Sequence, residues 1–525
     1  MIKKTFLLWL VFSFSKGAFA QPAGKLDYTI ELLKYWYVDT INDKKLSDAA
    51  VVAMLKELDP HSSYIPADEL KEMNEPLLGK FEGIGIQFNI LNDTLMVTQT
   101  IAGGPSEKLG IRAGDRIVKI DDVNVASVKL TNNDVLKKLR GDKGTKVKVA
   151  IARRGVAELL DFTITRDQIP LFSIDASYEI APGVGYIKVS RFADNTANEF
   201  HAALEKLKAK GIKSLIVDLE GNGGGYLNRA VELADEFIAD GKKVVYTRGR
   251  QTQPEDYMAS TKGLFEAGKL IVLIDETSAS ASEIVSGAVQ DWDRGLIIGR
   301  RSFGKGLVQK PFMLPDGSMI RLTVSHYYTP SGRCIQKPYT LGDEDAYEED
   351  IYSRYKDGEL FSADSIKLTD TTKYYTNNKR LVYGGGGIIP DIFVPIDTTM
   401  RSDFYTELLR KNAFNDYILT YTDNNRTMLK EQYPTIETFR KSYNITSDFF
   451  EGFLTNAYKL GVKPNPEGLK TSEQLLKIQL SALIARNLWD VDAYFQIIND
   501  LNPTIKKALS CLQDNSFEKM KIAYK

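Results

Sequence analysis

The chain has 525 residues, of which 43% are hydrophobic and 26% charged, too many for one core and enough for roughly three or four domains of ordinary size. Lys and Arg number 68 against 69 Asp and Glu, a net charge of -1. That balance excludes a global basic field for nucleic acid or anionic lipid, so specificity must lie in pockets.

Residues 1–20 carry Lys3 and Lys4, an apolar run from Phe6 to Phe14, and Ala18-Phe19-Ala20 before Gln21. These are the three regions of a secretory signal, with cleavage expected after Ala20 and the protein exported to the periplasm or cell envelope. The run is far below the roughly 20 residues of a spanning helix, so no membrane span is expected in the mature form. No cysteine lies near the cleavage point, which argues against a lipoprotein. Cys334 and Cys511 stand far apart and are read as free thiols rather than one bridge.

From residue 21 to 78 the pattern is helical, with Leu26, Ile30, Leu33 and Tyr37, then Val51, Met54, Leu55 and Leu58, at helical spacing. Asp59-Pro60-His61 breaks the second helix, and His61 is read as structural. Residues 79–166 change to short strands and glycine turns: GKFEGIGIQFNI, DTLMVTQTI, PSEKLGIRAGDRIVKIDDVNV and TKVKVAIARRG. This order resembles a PDZ domain. The resemblance implies that Gly83-Ile84-Gly85-Ile86 offers backbone N–H groups to a peptide's terminal carboxylate. Ile84 and Ile86 would line an apolar pocket, with Val135, Leu136 and Leu139 on a helix as the other wall. The plainer alternative is a strand that happens to contain glycines.

After Pro170 the chain turns α/β. Val184–Val189 and Ser214–Leu219 read as buried strands flanking a helix from Asn195 to Ala209. Gly221-Asn222-Gly223-Gly224-Gly225 then leads into a helix, a turn whose amides can approach a phosphate or an oxyanion. Neither nucleotide-binding glycine pattern is present at this turn. A third strand, Leu270–Ile274, runs into DETSAS, and Ile284, Val285, Ala288, Val289 and Trp292 form a helical stripe beyond it. Ser280 therefore sits at a strand-to-helix junction with its hydroxyl exposed and the Ala281 amide beside it. Serines also cap helices, and Ser282 is the expected cap. Lys305, 25 residues on, is flanked by glycines and hydrophobes in FGKGLVQ. Burial of such an amine lowers its pKa and makes it a base, although a lone loop lysine is ordinarily solvated.

The strings SASASE, QD and FGKGLVQ, with their spacing and the preceding PDZ-like segment, resemble the carboxyl-terminal processing, or tail-specific, proteases over residues 26–395. The resemblance implies an α/β multidomain fold: an α/β protease core of crotonase-like ββα units at 167–399, an inserted PDZ domain, and helical N- and C-terminal regions. It implies Ser280 as nucleophile, Lys305 as general base, Gln309 orienting the lysine, and Asp291 contributing at the QD position. Its oxyanion hole would pair Gly224 or Gly225 with Ala281. Many members carry an arginine where this chain has Glu220, which puts that arginine's role in doubt here. No cofactor or metal is implied. The expected activity is a serine endopeptidase acting on exported proteins near apolar C-terminal tails. A catalytically weak tail-binding scaffold or chaperone and a small-ester acyl hydrolase are the alternatives.

Beyond Lys305, residues 311–330 read as a hairpin turning at Pro315-Asp316-Gly317, ending at a structural His326. Asp343 to Asp350 reads as a solvated acidic loop, and Gly387-Ile388-Ile389-Pro390-Asp391 closes the core. Residues 400–525 are helical, with Thr471 and Gln474 at capping-box spacing. This tail carries no chemical motif; shaping a channel, forming a homo-oligomer and docking an adaptor protein all stay open.

Overall fold

The computed structural model describes residues 22–91, 93–260 and 262–524; the expected export signal lies outside them. The chain is an α/β multidomain protein. Its centre is a six-stranded sheet in the order Ile174–Ala181, Val184–Val189, Ser214–Asp218, Lys269–Ile274, Leu296–Gly299, Ile392–Phe393. The first pair is antiparallel and the others parallel.

Side chains alternate across this sheet, so each strand feeds two cores. Leu270, Val272 and Ile274 face helices Thr196–Ala209, Leu227–Asp235 and Ala281–Asp291. Ile271 and Leu273 face the other way, onto Ile505, Ala508, Cys511 and Phe517. The last helices, Pro503–Gln513 and Ser516–Lys519, are thus a layer on the central sheet. A single C-terminal unit over 400–525 does not describe the packing, because a sheet apolar on both faces must be covered on both. Cys334 and Cys511 are free thiols.

A second, five-stranded sheet contains the hairpin Leu307–Met313 and Met319–Tyr328, which turns at residues 314–318 as expected. The N-terminal region is not wholly helical. After helices Pro22–Trp36 and Asp43–Lys56, Ser63–Ile65 forms a strand against Met319–Arg321. The acidic stretch after residue 342 is also helical rather than a loop. Asp343 caps Glu344–Glu348 by accepting from the Ala346 amide at 3.1 Å, and Glu344, Asp345 and Asp350 sit in first turns, where the helix dipole favours negative charge.

The inserted domain leaves and returns through one paired seam, Lys80–Gly83 against Asp167–Pro170. Its sheet runs Ile86–Leu91, Thr94–Thr100, Arg116–Ile120, Lys146–Ala152, Leu160–Thr165, which leaves Ile86–Leu91 at an edge. Leu95 and Val97 point into its own core, while Met96 and Leu91 point outward onto Leu419 of the C-terminal helices. Asp423 on helix Ala413–Gln432 bonds Arg116 at 2.9 Å there. Helix Pro466–Leu488 begins earlier than the Thr471 capping box suggested. Asn465 caps it through the Gly468 amide at 2.9 Å, and Thr471 lies inside, bonded back to Glu467 O.

Candidate active site

The strand Lys269–Ile274 ends at Asp275, whose Oδ1 accepts the amides of Thr277 and Ser278, both at 3.0 Å. This tight turn delivers Ser280 to the start of helix Ala281–Asp291 with φ 54° and ψ -112°. A non-glycine residue in that region costs about 1–3 kcal/mol and persists only where its surroundings over-determine it. Here Glu283 supplies the constraint. Its Oε2 accepts the amides of Ser280 (2.8 Å) and Lys305 (2.9 Å), while Oε1 accepts Ser302 Oγ (2.5 Å) and the Gly304 amide (2.8 Å). The carboxyl is wholly buried, and burial pushes it up to about 7 against the four bonds that favour its charged form.

A second bridge joins the same two residues. The fully buried Tyr327 hydroxyl lies 2.6 Å from Lys305 O and 3.0 Å from Ser280 O. Burial, and secondarily the Arg321 charge, holds the Lys305 amine below the ordinary lysine value; Glu283 and Asp59 act in the opposite direction. Glu283 was legible as the fourth residue of the S-x-x-E signature that starts this helix, but sequence reasoning passed over it.

The expected oxyanion turn packs directly on the serine. A Cβ at Gly224 (φ +100°) would stand 2.8 Å from Ser280 Cβ and 3.0 Å from the Ala281 nitrogen, so only glycine fits. The Gly224 amide is already used, donating to Asn222 Oδ1 at 2.8 Å. The amides of Gly225 and Ala281 have no acceptor among the described residues. Ser282 does not cap the helix. Its hydroxyl donates to Asn222 O at 2.8 Å, tying the glycine turn to the helix that Ser280 begins, and Ser280 occupies the cap position.

Two other candidates are placed differently from expectation. Gln309 donates to Thr323 Oγ1 (3.2 Å) rather than to the Lys305 amine, and Thr323 passes the chain on to Asp59 Oδ1 (2.7 Å). A register shift between Val308 and Gln309 causes this by setting Gln309 opposite Thr323. Asp291 ends the eleven-residue helix that Ser280 begins, about 16 Å along the axis. There its carboxylate accepts Arg333 at 2.7 Å and the Ser331 amide at 3.0 Å, with both charged side chains buried. It is a structural ion pair.

The Asp59-Pro60-His61 break, read only as a helix stop, comes to the Lys305 side of the site. Asp59 accepts the amides of His61 and Ser62 in an Asx-type turn. His61 sits 3.0 Å from the Tyr347 hydroxyl, and burial together with the Lys305 charge pushes its imidazole down to about 4. His326, by contrast, lies in strand pairing opposite Leu307.

In the inserted domain, Ile84, Val135 and Leu139 are core residues, and Ile86 is half-buried beside them. A Cβ at Gly83 would lie 3.7 Å from Leu139 O, so the glycine segment and the helix are adjacent. The Ile84 carbonyl accepts Ser106 Oγ (2.6 Å) and the Gly85 carbonyl the Ile101 amide (3.0 Å). With carbonyls turned inward, the Ile84 and Gly85 amides have no acceptor among the described residues, beside a free sheet edge.

Residues 183–345 match peptidase family S41, residues 96–153 match the PDZ domain, and residues 404–490 match a family of unknown function, DUF8443. A carboxy-terminal-processing protease of Bartonella bacilliformis is 38% identical over 58% of this chain and 70% of its own. The carboxy-terminal processing protease CtpB of Bacillus subtilis is 34% identical over 68% of this chain and 72% of its own. Among solved structures, the photosystem II D1 C-terminal processing protease aligns over 72% of this chain and 88% of its own, at 25% identity and a TM-score of 0.37. The chain belongs to the carboxy-terminal processing serine proteases of peptidase family S41, with a PDZ domain.

Proposed function

We propose that this peptidase works through a Ser280–Lys305 dyad on exported proteins, cutting near C-terminal tails that its PDZ domain holds by the terminal carboxylate. The observation that carries the reading is the single Glu283 oxygen accepting both Ser280 and Lys305 amides, which fixes nucleophile and base relative to one another. Neutral Lys305 takes the Ser280 hydroxyl proton as Oγ attacks the scissile carbonyl. The oxyanion is received by the Gly225 and Ala281 amides, with Gly224 supplying the close approach. Lys305 then returns the proton to the departing amine, leaving an acyl-serine. A water, deprotonated by the same amine, hydrolyses that ester and regenerates both groups.

The free Ile84 and Gly85 amides beside an edge strand support carboxylate capture with β-strand addition. The export signal read in residues 1–20 supports a periplasmic or cell-envelope location. The test incubates purified protein with an unfolded substrate bearing an apolar tail. Ser280→Ala and Lys305→Ala are expected to be inactive; full cleavage by either variant excludes the dyad.

A further inference from the structure

The glycine turn is tied to the nucleophile on one side and to the C-terminal helices on the other. On the near side, Asn222 O accepts the Ala279 amide (3.0 Å) and Ser282 Oγ (2.8 Å), so any movement of the turn is felt on both flanks of Ser280. The turn's first residues are held by the core. The Glu220 amide donates to Asp218 Oδ1 (2.8 Å), its carbonyl accepts the Lys188 ammonium, and the Gly221 amide donates to Asp275 Oδ2 (3.0 Å).

The Glu220 side chain leaves the core. It faces a cavity of about 600 Å³ between the sheet's strand ends and the C-terminal helices, where its Oε2 accepts Asn502 Nδ2 at 2.9 Å. Asn502 is itself immobilised, because its Oδ1 caps helix Pro503–Gln513 through the amides of Thr504 (2.8 Å) and Ile505 (3.3 Å). That helix is anchored by Ile505, Ala508 and Cys511 in the core beneath the sheet. One amide therefore has its oxygen committed to a buried helix and its nitrogen to the catalytic turn.

We propose that Asn502 is a positioning residue for the oxyanion-binding turn, acting through Glu220, so that the end of the chain is part of the catalytic apparatus. This rests on the dyad and oxyanion assignments above. The Asn502–Glu220 hydrogen bond adds a support from the C-terminal helices to the bonds that hold the turn to the core, and a turn displaced by a fraction of an ångström misplaces the oxyanion donors.

The full-length protein is assayed on the tailed substrate. Asn502→Asp keeps the capping oxygen but sets an acceptor against Glu220. It is expected to lower kcat about tenfold with KM changed less than twofold, the mark of an interaction made in the transition state. The double variant Asn502→Asp/Glu220→Gln restores a donor–acceptor pair in the reverse sense and is expected to recover kcat to within about threefold of wild type. Asn502→Ser, which caps but cannot reach Glu220, gives a second reading if the charged variant does not fold, with the same fall in kcat. Wild-type kcat in a folded single variant, or a loss the double variant does not recover, overturns the proposal. Ser280→Ala runs alongside: cleavage by it discards the dyad assignment, whereas an inactive Ser280→Ala beside an unaffected Asn502 variant discards the positioning role alone.

Discussion

Ser280 and Lys305 donate their backbone amides to the same oxygen of Glu283, at 2.8 and 2.9 Å. The carboxylate is the mechanical link between strand-to-helix junction and lysine loop, and its donors are all on one of those two segments. Glu283→Gln replaces an acceptor with a donor facing at least one N–H or O–H. Expected is a fall of about 2–4 kcal/mol in unfolding free energy, the scale of a buried charged hydrogen-bond network left unmet. Loss of cleavage should exceed the loss of folded protein. Urea titration alongside kcat on the folded fraction measures both.

The proposed base sets the sign of the pH dependence. Only the neutral amine accepts a proton, so kcat/KM rises with pH through the Lys305 pKa, which lies below that of an ordinary lysine. Arg321→Gln removes a positive charge that favours the neutral form. The lysine pKa then rises, and the ascending limb is expected to move toward higher pH. A limb that stays put would show that Lys305 is not the titrating group.

At Gly224 the expectation is steric. An added methyl would meet Ser280 Cβ at 2.8 Å and Ala279 O at 2.8 Å in a backbone region unfavourable to alanine. Gly224→Ala is expected to lower the acylation rate about a hundredfold or more, measured as labelling of Ser280 by an active-site-directed fluorophosphonate.

Asp291 separates a stability role from a chemical one. Its partner Arg333 is fully buried, so Asp291→Asn leaves an uncompensated charge and is expected to cost about 3–5 kcal/mol. Activity should fall in step with the folded fraction, measured by thermal melts and by specific activity at low temperature. Full stability with no activity would return Asp291 to the catalytic group.

The PDZ domain meets the C-terminal helices through the Asp423–Arg116 ion pair, the close approach of Asp423 to Gly114, the Arg154–Asn424 hydrogen bond (2.8 Å) and the apolar contact of Leu91 and Met96 with Leu419. Asp423→Ala is expected to change global stability by under about 1 kcal/mol, while amide exchange quickens in residues 110–118 and 416–430. Unchanged exchange there would mean that the apolar contact and the Arg154–Asn424 bond hold the domain without the ion pair.

Local chemistry made much of this protein readable from its residues. The glycine turn, the serine at a strand-to-helix junction, the FGKG lysine, the PDZ segment and the alternating hairpin are all short-range patterns, each set within one or two elements. What lay beyond reach were contacts between distant segments. Asp59 and His61 approach Lys305 from a loop nearly 250 residues earlier. Gln309 is redirected by a one-residue register shift, and Asp291 is carried away from Ser280 by the length of the helix they share. The last helices become a layer of the core because the sheet is apolar on both faces. A sequence pattern records which side chains want burial or a partner; only the tertiary fold, by closing loops and stacking layers, decides which distant group meets that demand.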